Sequence, residues 1–198
     1  PAIYFYFVYF YSLNLPFADD FAQLSEVTRI FQSENFSEQF SILFAPHNEH
    51  RVAFTRFAFM LSYILLGKID FFYLTILGNL ALLALFCLFF KALKVPRTNL
   101  LYFVPISILL FQLQSWKNMI WAQSALQSQY ILLFTGLTFY LLGKKSNTGF
   151  YCSFFFAVLS VFTHGGGWVT IFLGWIILLL QKSYQKNSIW AGGALLSN

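Results

Sequence analysis

The stretch FFYLTILGNLALLALFCLFF, residues 71–90, decides the fold. It runs for twenty residues without a charge, which is the length an α-helix needs to cross a ~30 Å hydrocarbon core. Lys91, Lys94 and Arg97 close it. Working outward, further apolar runs lie at 100–113, 130–142, 150–163 and 168–180, and shorter ones open the chain and fill 52–66. The chain has 198 residues, 59% of them hydrophobic and only 10% charged, with 27 Phe and a mean hydropathy of +0.66. Soluble domains carry about a quarter charged residues. The runs are continuously apolar and do not alternate, which argues against a β-barrel. The sequence therefore predicts an all-α polytopic membrane protein with about six to seven transmembrane helices and the lipid bilayer as its first partner. The whole of 1–198 reads as a single membrane domain.

The bases set the orientation. Segments 91–97, 143–147 and 181–187 hold three, two and two Lys/Arg and no acids. Short basic loops face the cytoplasm, and two spans separate each from the next. The net charge of +5 is thus accounted for by topology, and no nucleic-acid partner is expected. Cys87 and Cys152 both fall inside apolar runs. Free cysteine is among the residue types most often buried, so neither a disulfide nor a metal site is expected from them. The chain begins without Met inside one apolar run and ends inside another, Ser188 to Leu196. That predicts a piece of a longer protein.

The polar chemistry is concentrated elsewhere. Six of the seven acids, Asp19, Asp20, Glu26, Glu34, Glu38 and Glu49, lie between Pro16 and Arg51, and no Asp or Glu follows Asp70. A first membrane helix is predicted through Leu15, stopped by Pro16. The segment 16–51 then reads as an extracytoplasmic first loop with two short helices. In the first, Phe21 to Gln32, Phe21, Leu24, Val27, Thr28 and Phe31 share a face and Asp20 is the expected N-cap. The second is Ser37 to Phe44. Residues 52–66 would cover only ~22 Å, so they are expected to lie in the outer interface as a helix that does not cross. On this map the acidic loop, 114–129 and His164-Gly165-Gly166-Gly167 all face outward.

Several constellations could carry chemistry. Asp19 and Asp20 sit straight after a membrane helix, and a carboxylate there is either a cap or a general base for a hydroxyl. His47-Asn48-Glu49-His50-Arg51 is dense in polar groups. A divalent metal would draw on His47, His50 and Asp19 or Glu49, but the spacing matches no zinc pattern, and no cofactor is expected. An anion site would use Arg51, a forked donor suited to phosphate, with His50, and with Asn48 and Glu49 in support. Arg56 either snorkels to the interface or meets a lipid phosphate. Lys117, between Trp116 and Trp121, reads as an interface belt or as a phosphate contact beside a sugar-stacking ring. His164 and its three glycines make a tight turn or a close backbone approach to a ligand.

The pattern resembles the GT-C superfamily of polytopic glycosyltransferases. The likeness is motif-specific over 16–51, in Pro16, Ala18, Asp19, Asp20 and Phe21 and then Asn48, Glu49, His50 and Arg51. It implies a bacterial cytoplasmic-membrane enzyme that moves a sugar from a polyprenyl-phosphate donor to a glycan or lipid acceptor on the outer side. It also implies that Asp19 or Asp20, as the acidic residue of the first outer loop, is the catalytic base or positions the acceptor. Phosphate binding would fall to His50, Arg51, Arg56, Lys117 and His164. The alternative is a transporter, flippase or polysaccharide-export subunit, which would place polar groups near the midplane of its spans.

Overall fold

The computed structural model describes residues 1–47, 50–93 and 101–196. The protein is about 80% helical and all-α, as expected. The helices are α1 (Ala2–Tyr11), α2 (Asp20–Gln32), α3 (Phe36–Phe44), α4 (Ala53–Leu66), α5 (Phe71–Leu93), α6 (Phe103–Leu110), α7 (Trp116–Ile120), α8 (Ala122–Gly143), α9 (Asn147–Thr163), α10 (Gly167–Leu180) and α11 (Tyr184–Leu196). Between α3 and α4 lies a minimal antiparallel hairpin that the sequence did not suggest. Its strands are β1 (Pro46–His47) and β2 (His50–Arg51), with His47 opposite His50.

Among the described residues, two helices, α5 and α8, are long and apolar enough to cross a membrane. They pack on each other and run parallel. A Cβ on Gly78 would come within 2.7 Å of the Ala125 backbone, and one on Gly136 within 2.8 Å of Leu85. Both contacts pair residues at similar sequence offsets, so the two chains advance together. Helix α9 runs antiparallel to α8, with Phe134 stacked on Phe156 and Leu142 clustered with Phe150. Helix α10 turns back along α9, and α11 returns under α10, where Trp190 donates its indole N–H to the Ile171 carbonyl at 3.0 Å. This arrangement puts the C-terminal ends of α5, α8 and α10, with Lys91, Lys144, Lys145 and Lys182, at one end of the bundle. The starts of α5, α8 and α10 gather at the other.

Parallel packing of α5 and α8 requires the chain between them to travel back the full length. That run differs from the single span expected at 100–113. Helix α6 has eight residues, about 12 Å, too short to cross alone. Pro105 falls in its first turn, where a missing N–H costs nothing. After α6 the helix breaks, and α7 adds five residues before a second break at Trp121. A broken helix in an apolar setting leaves carbonyls without partners. Asn79, fully buried in α5, supplies one: its Nδ2 donates to Met119 O and Thr75 O, both at 2.8 Å, while Tyr4 Oη donates to its Oδ1 at 2.5 Å.

Other expectations are corrected in detail. Helix α1 ends at Tyr11, not Leu15, because Ser12 turns extended. In α2 the N-cap is Asp19, and Asp20 is the first helical residue. Its buried stripe is Asp20, Gln23, Val27 and Ile30, while Phe21 and Phe31 are exposed. The stripe is rotated because the Asp20 carboxyl is drawn inward. The expected helices at 37–44 and 52–66 form as α3 and α4. Cys87 and Cys152 are free and exposed rather than buried.

The α5–α8 contact generates a stability prediction. Gly78→Val should cost about 1–3 kcal/mol through overpacking, read as a lower unfolding midpoint in detergent. Gly143→Ala, where a Cβ meets nothing within 4 Å, should leave it within about 0.5 kcal/mol. Equal midpoints for the two variants would refute the close crossing.

Candidate functional site

The outer-loop residues meet the start of α8, far away in sequence. Asp20 is 1% exposed. The N–H of Gln123 donates to its Oδ1 at 2.9 Å and the N–H of Phe17 to its Oδ2 at 3.1 Å. Gln123 is the second residue of α8, whose N-cap Trp121 makes no side-chain cap bond of its own. Asp20 therefore caps α8 from another helix, and the positive ends of both α2 and α8 point at it. Burial nevertheless pushes its carboxyl up from 3.8 to about 6, against these backbone N–H bonds and the nearby Trp121, with a smaller upward push from Asp19. The Trp121 indole N–H falls short of full hydrogen-bond geometry to any partner. Asp19, one residue earlier, is exposed. The pair is thus divided into one carboxylate held by the fold and one presented outward.

Next to this joint lies an apolar cavity of about 330 Å³. Its walls come from the end of α1 and from α7, with Tyr11, Pro16, Phe17, Trp116 and Trp121, and Lys117 carries the charge on its lining. Phe17 and Trp121 meet edge to face at 5.6 Å. Lys117 Nζ lies 5.7 Å from the Trp116 ring centroid, within cation–π range. Phe17, which lines the cavity, also donates to Asp20.

The second cluster forms where the hairpin reaches the α9–α10 turn. The His50 and His164 rings lie 4.9 Å apart at 35°. His164 caps α9 in extended backbone, and its Nδ1 accepts the Gly166 N–H at 3.0 Å. The glycine run has a packing reason. A Cβ on Gly165 would overlap His50 Nδ1, and one on Gly167 would overlap the Ser160 carbonyl. Burial first, and the neighbouring His50 second, hold His164 below its usual 6.5. Arg51 lies with its guanidinium 6.0 Å from the Phe162 centroid. The supporting residues Asn48 and Glu49 lie outside the described residues.

Arg56 is placed otherwise than expected. It is 1% exposed, and its Nη1 donates to the carbonyls of Ile42 at 3.0 Å, Leu43 at 3.2 Å and Ala45. Those carbonyls close α3, so Arg56 neutralises that helix's negative end instead of snorkelling to the interface. Among the described residues, no group of three or more His, Cys, Asp or Glu could hold a metal ion.

Two polar residues that hold this end together were not singled out from sequence. Asp70, 4% exposed, caps α5 by accepting the Tyr73 N–H at 3.1 Å. It also accepts from Asn14 Nδ2 at 3.1 Å and pairs with Lys68 at 3.3 Å. Asn14 in turn accepts the Phe71 N–H at 2.8 Å. The signal was present: an acid directly before an apolar run is an N-cap pattern. Asn79 was likewise visible as the one amide inside 71–90.

Compared with protein-family models, curated proteins and solved structures, the chain matches none.

Asp20 gives a pH prediction. An acid whose folded value is raised stabilises the fold relative to its ionised form at low pH, and that stability is lost as pH rises through the folded value. A rise of about two units is worth about 3 kcal/mol. The stability difference between the wild type and Asp20→Asn should therefore move against the wild type between pH 3.8 and about 6 and be flat above. A pH-independent difference over that window would refute the raised value.

Proposed function

We propose that this chain carries the outer site of an integral-membrane glycosyltransferase that uses a polyprenyl-phosphate-linked sugar. The observation that carries this reading is an exposed acid, Asp19, two residues from Phe17 on the wall of an apolar cavity that bears a lysine. A carrier lipid combines an apolar chain with an anionic phosphate, and the cavity with Lys117 offers a partner to each.

In this reading the acceptor hydroxyl attacks the anomeric carbon of the donor sugar. The bond from that carbon to the phosphate oxygen breaks, and the polyprenyl phosphate leaves with the electron pair. Asp19 takes the hydroxyl proton, and a single displacement inverts the sugar carbon. Lys117 offsets the phosphate charge. Asp20 holds the joint between α2 and α8 and so positions Trp121 and Phe17. Arg51, beside the His50 and His164 rings, is the second cation, suited to an anionic part of donor or acceptor. Arg56 has no part, because it is buried with its Nη1 on the carbonyls that close α3.

The membrane arrangement proposed is seven crossings: α1, α5, the broken return 101–121, α8, α9, α10 and α11, with α4 in the outer interface. Gathering of Lys91, Lys144, Lys145 and Lys182 at one end of the bundle supports a cytoplasmic assignment for that end. The rival transport reading draws little support. The buried Tyr4–Asn79 pair inside the bundle is committed to packing bonds, and no acid follows Asp70.

The test is transfer of radiolabelled sugar from a polyprenyl-phosphate donor by the full-length protein in lipid. Asp19→Asn should lower kcat about 10²-fold or more, and Lys117→Ala should mainly raise KM for the donor. If Asp19→Asn keeps the wild-type rate, the assignment is wrong.

A further inference from the structure

The chain has three histidines, and the structure brings all of them to one corner. His47 and His50 face each other across the hairpin, and His50 lies on His164. The contact depends on one protonation state. His164 Nδ1 accepts the Gly166 N–H, so the neutral ring carries its proton on Nε2. An imidazolium has a proton on both nitrogens, and its Nδ1–H would point at another N–H 3.0 Å away. It would also place positive charge 4.9 Å from a second imidazole.

We propose that the His50–His164 pair is an acid-released latch, in which protonation of His164 breaks its bond to the Gly166 N–H and frees β2, His50–Arg51, from the α9–α10 turn. This goes beyond the transferase reading and stands whether or not sugar transfer is found.

The surroundings offer the proton no compensation among the described residues. From β1 comes His47, whose Nε2 is buried without a hydrogen-bond partner. From β2 comes Arg51, another cation. The last turn of α9 contributes Phe162 and Thr163, the first turn of α10 Gly167 and Trp168, and α8 an Ile131 side chain near Gly166. None of these is an acid. The sign follows. A histidine held below its usual 6.5 supports the latched form fully above that value, and the support is lost as pH falls from there through the lowered one. Gly165 is the mechanical part, since only a residue without Cβ lets His50 lie flat on the turn.

The full-length protein, labelled with ¹³C at histidine Cε1, gives one signal per histidine, assigned by single substitution. The signal lost in His164→Asn should titrate below 6.5, and His50→Asn should raise its midpoint. Hydrogen exchange of the 46–51 peptide, corrected for intrinsic rates, reads the release. Protection should fall up to about tenfold per pH unit across the titration, and should be insensitive to pH in His164→Asn. Gly165→Ala should give the released level at every pH. The proposal is overturned if His164 titrates at or above 6.5, or if hairpin protection is equal at pH 7 and pH 5. It is equally overturned if the pH response survives in His164→Asn and vanishes in Glu49→Gln, which would make the hairpin's own acid the sensor.

Discussion

The Asp20 carboxylate is the joint on which this end of the molecule depends. It ties the first turn of α2 to the first turn of α8 across 103 residues of chain. Two opposing terms meet there. Desolvation disfavours the charge, while two backbone N–H bonds and two helix N-termini favour it. Desolvation wins by a margin that leaves the group near 6. The charge is tolerable at neutral pH because the N–H groups of Phe17 and Gln123 belong to the backbone, which cannot turn away. Once Asp20 faces inward, the backbone of α2 fixes the rest: Asp19 must face outward, and Gln23, Val27 and Ile30 must follow Asp20 into the core.

A second constraint comes from the parallel contact of α5 and α8. Close approach at Gly78 and Gly136 aligns the two long helices, and the chain between them must then return. Its return is broken twice, and each break exposes backbone groups that an apolar setting penalises. Asn79 satisfies the second break, at the end of α7, and Tyr4 from α1 holds Asn79 in place. The same break sets Trp116, Lys117 and Trp121 around the cavity beside Phe17. The polar clamp in the core and the lysine on the cavity are therefore parts of one arrangement.

Much of this was legible in the sequence. Continuous apolar runs gave the helical class, and the charge-free stretch 71–90 marked α5. Clustering of Lys91, Lys144, Lys145 and Lys182 anticipated which helix ends lie together, since that pattern records topology directly. The position of Asp19-Asp20 at the start of the first polar helix was also visible, but the difference between them was not. They are adjacent at the start of α2, and only the bonds from Phe17 and Gln123 to Asp20 separate them. The face of α2 was misjudged for the same reason, because periodicity counts Phe21 and Phe31 as inward when an apolar surrounding can take them outward. The 100–113 run looked like one span because hydropathy does not register the break that ends α6 at Leu110.

The three cations between 51 and 68 show why residue type alone underdetermines a site. Arg51, Arg56 and Lys68 all follow the polar loop, and any could face a phosphate. Lys68 pairs with Asp70. Arg56 lies one turn into α4, where α3 ends against it, and its guanidinium faces three carbonyls. Burying an arginine costs several kcal/mol unless its donors are met, so the groove formed by the end of α3 determines the role. That role still bears on the site. With the end of α3 held by Arg56, the hairpin that follows begins from a fixed corner, and His50 reaches the one turn whose glycine admits it. The side chain expected to bind a ligand instead positions the strand that carries His50 and Arg51.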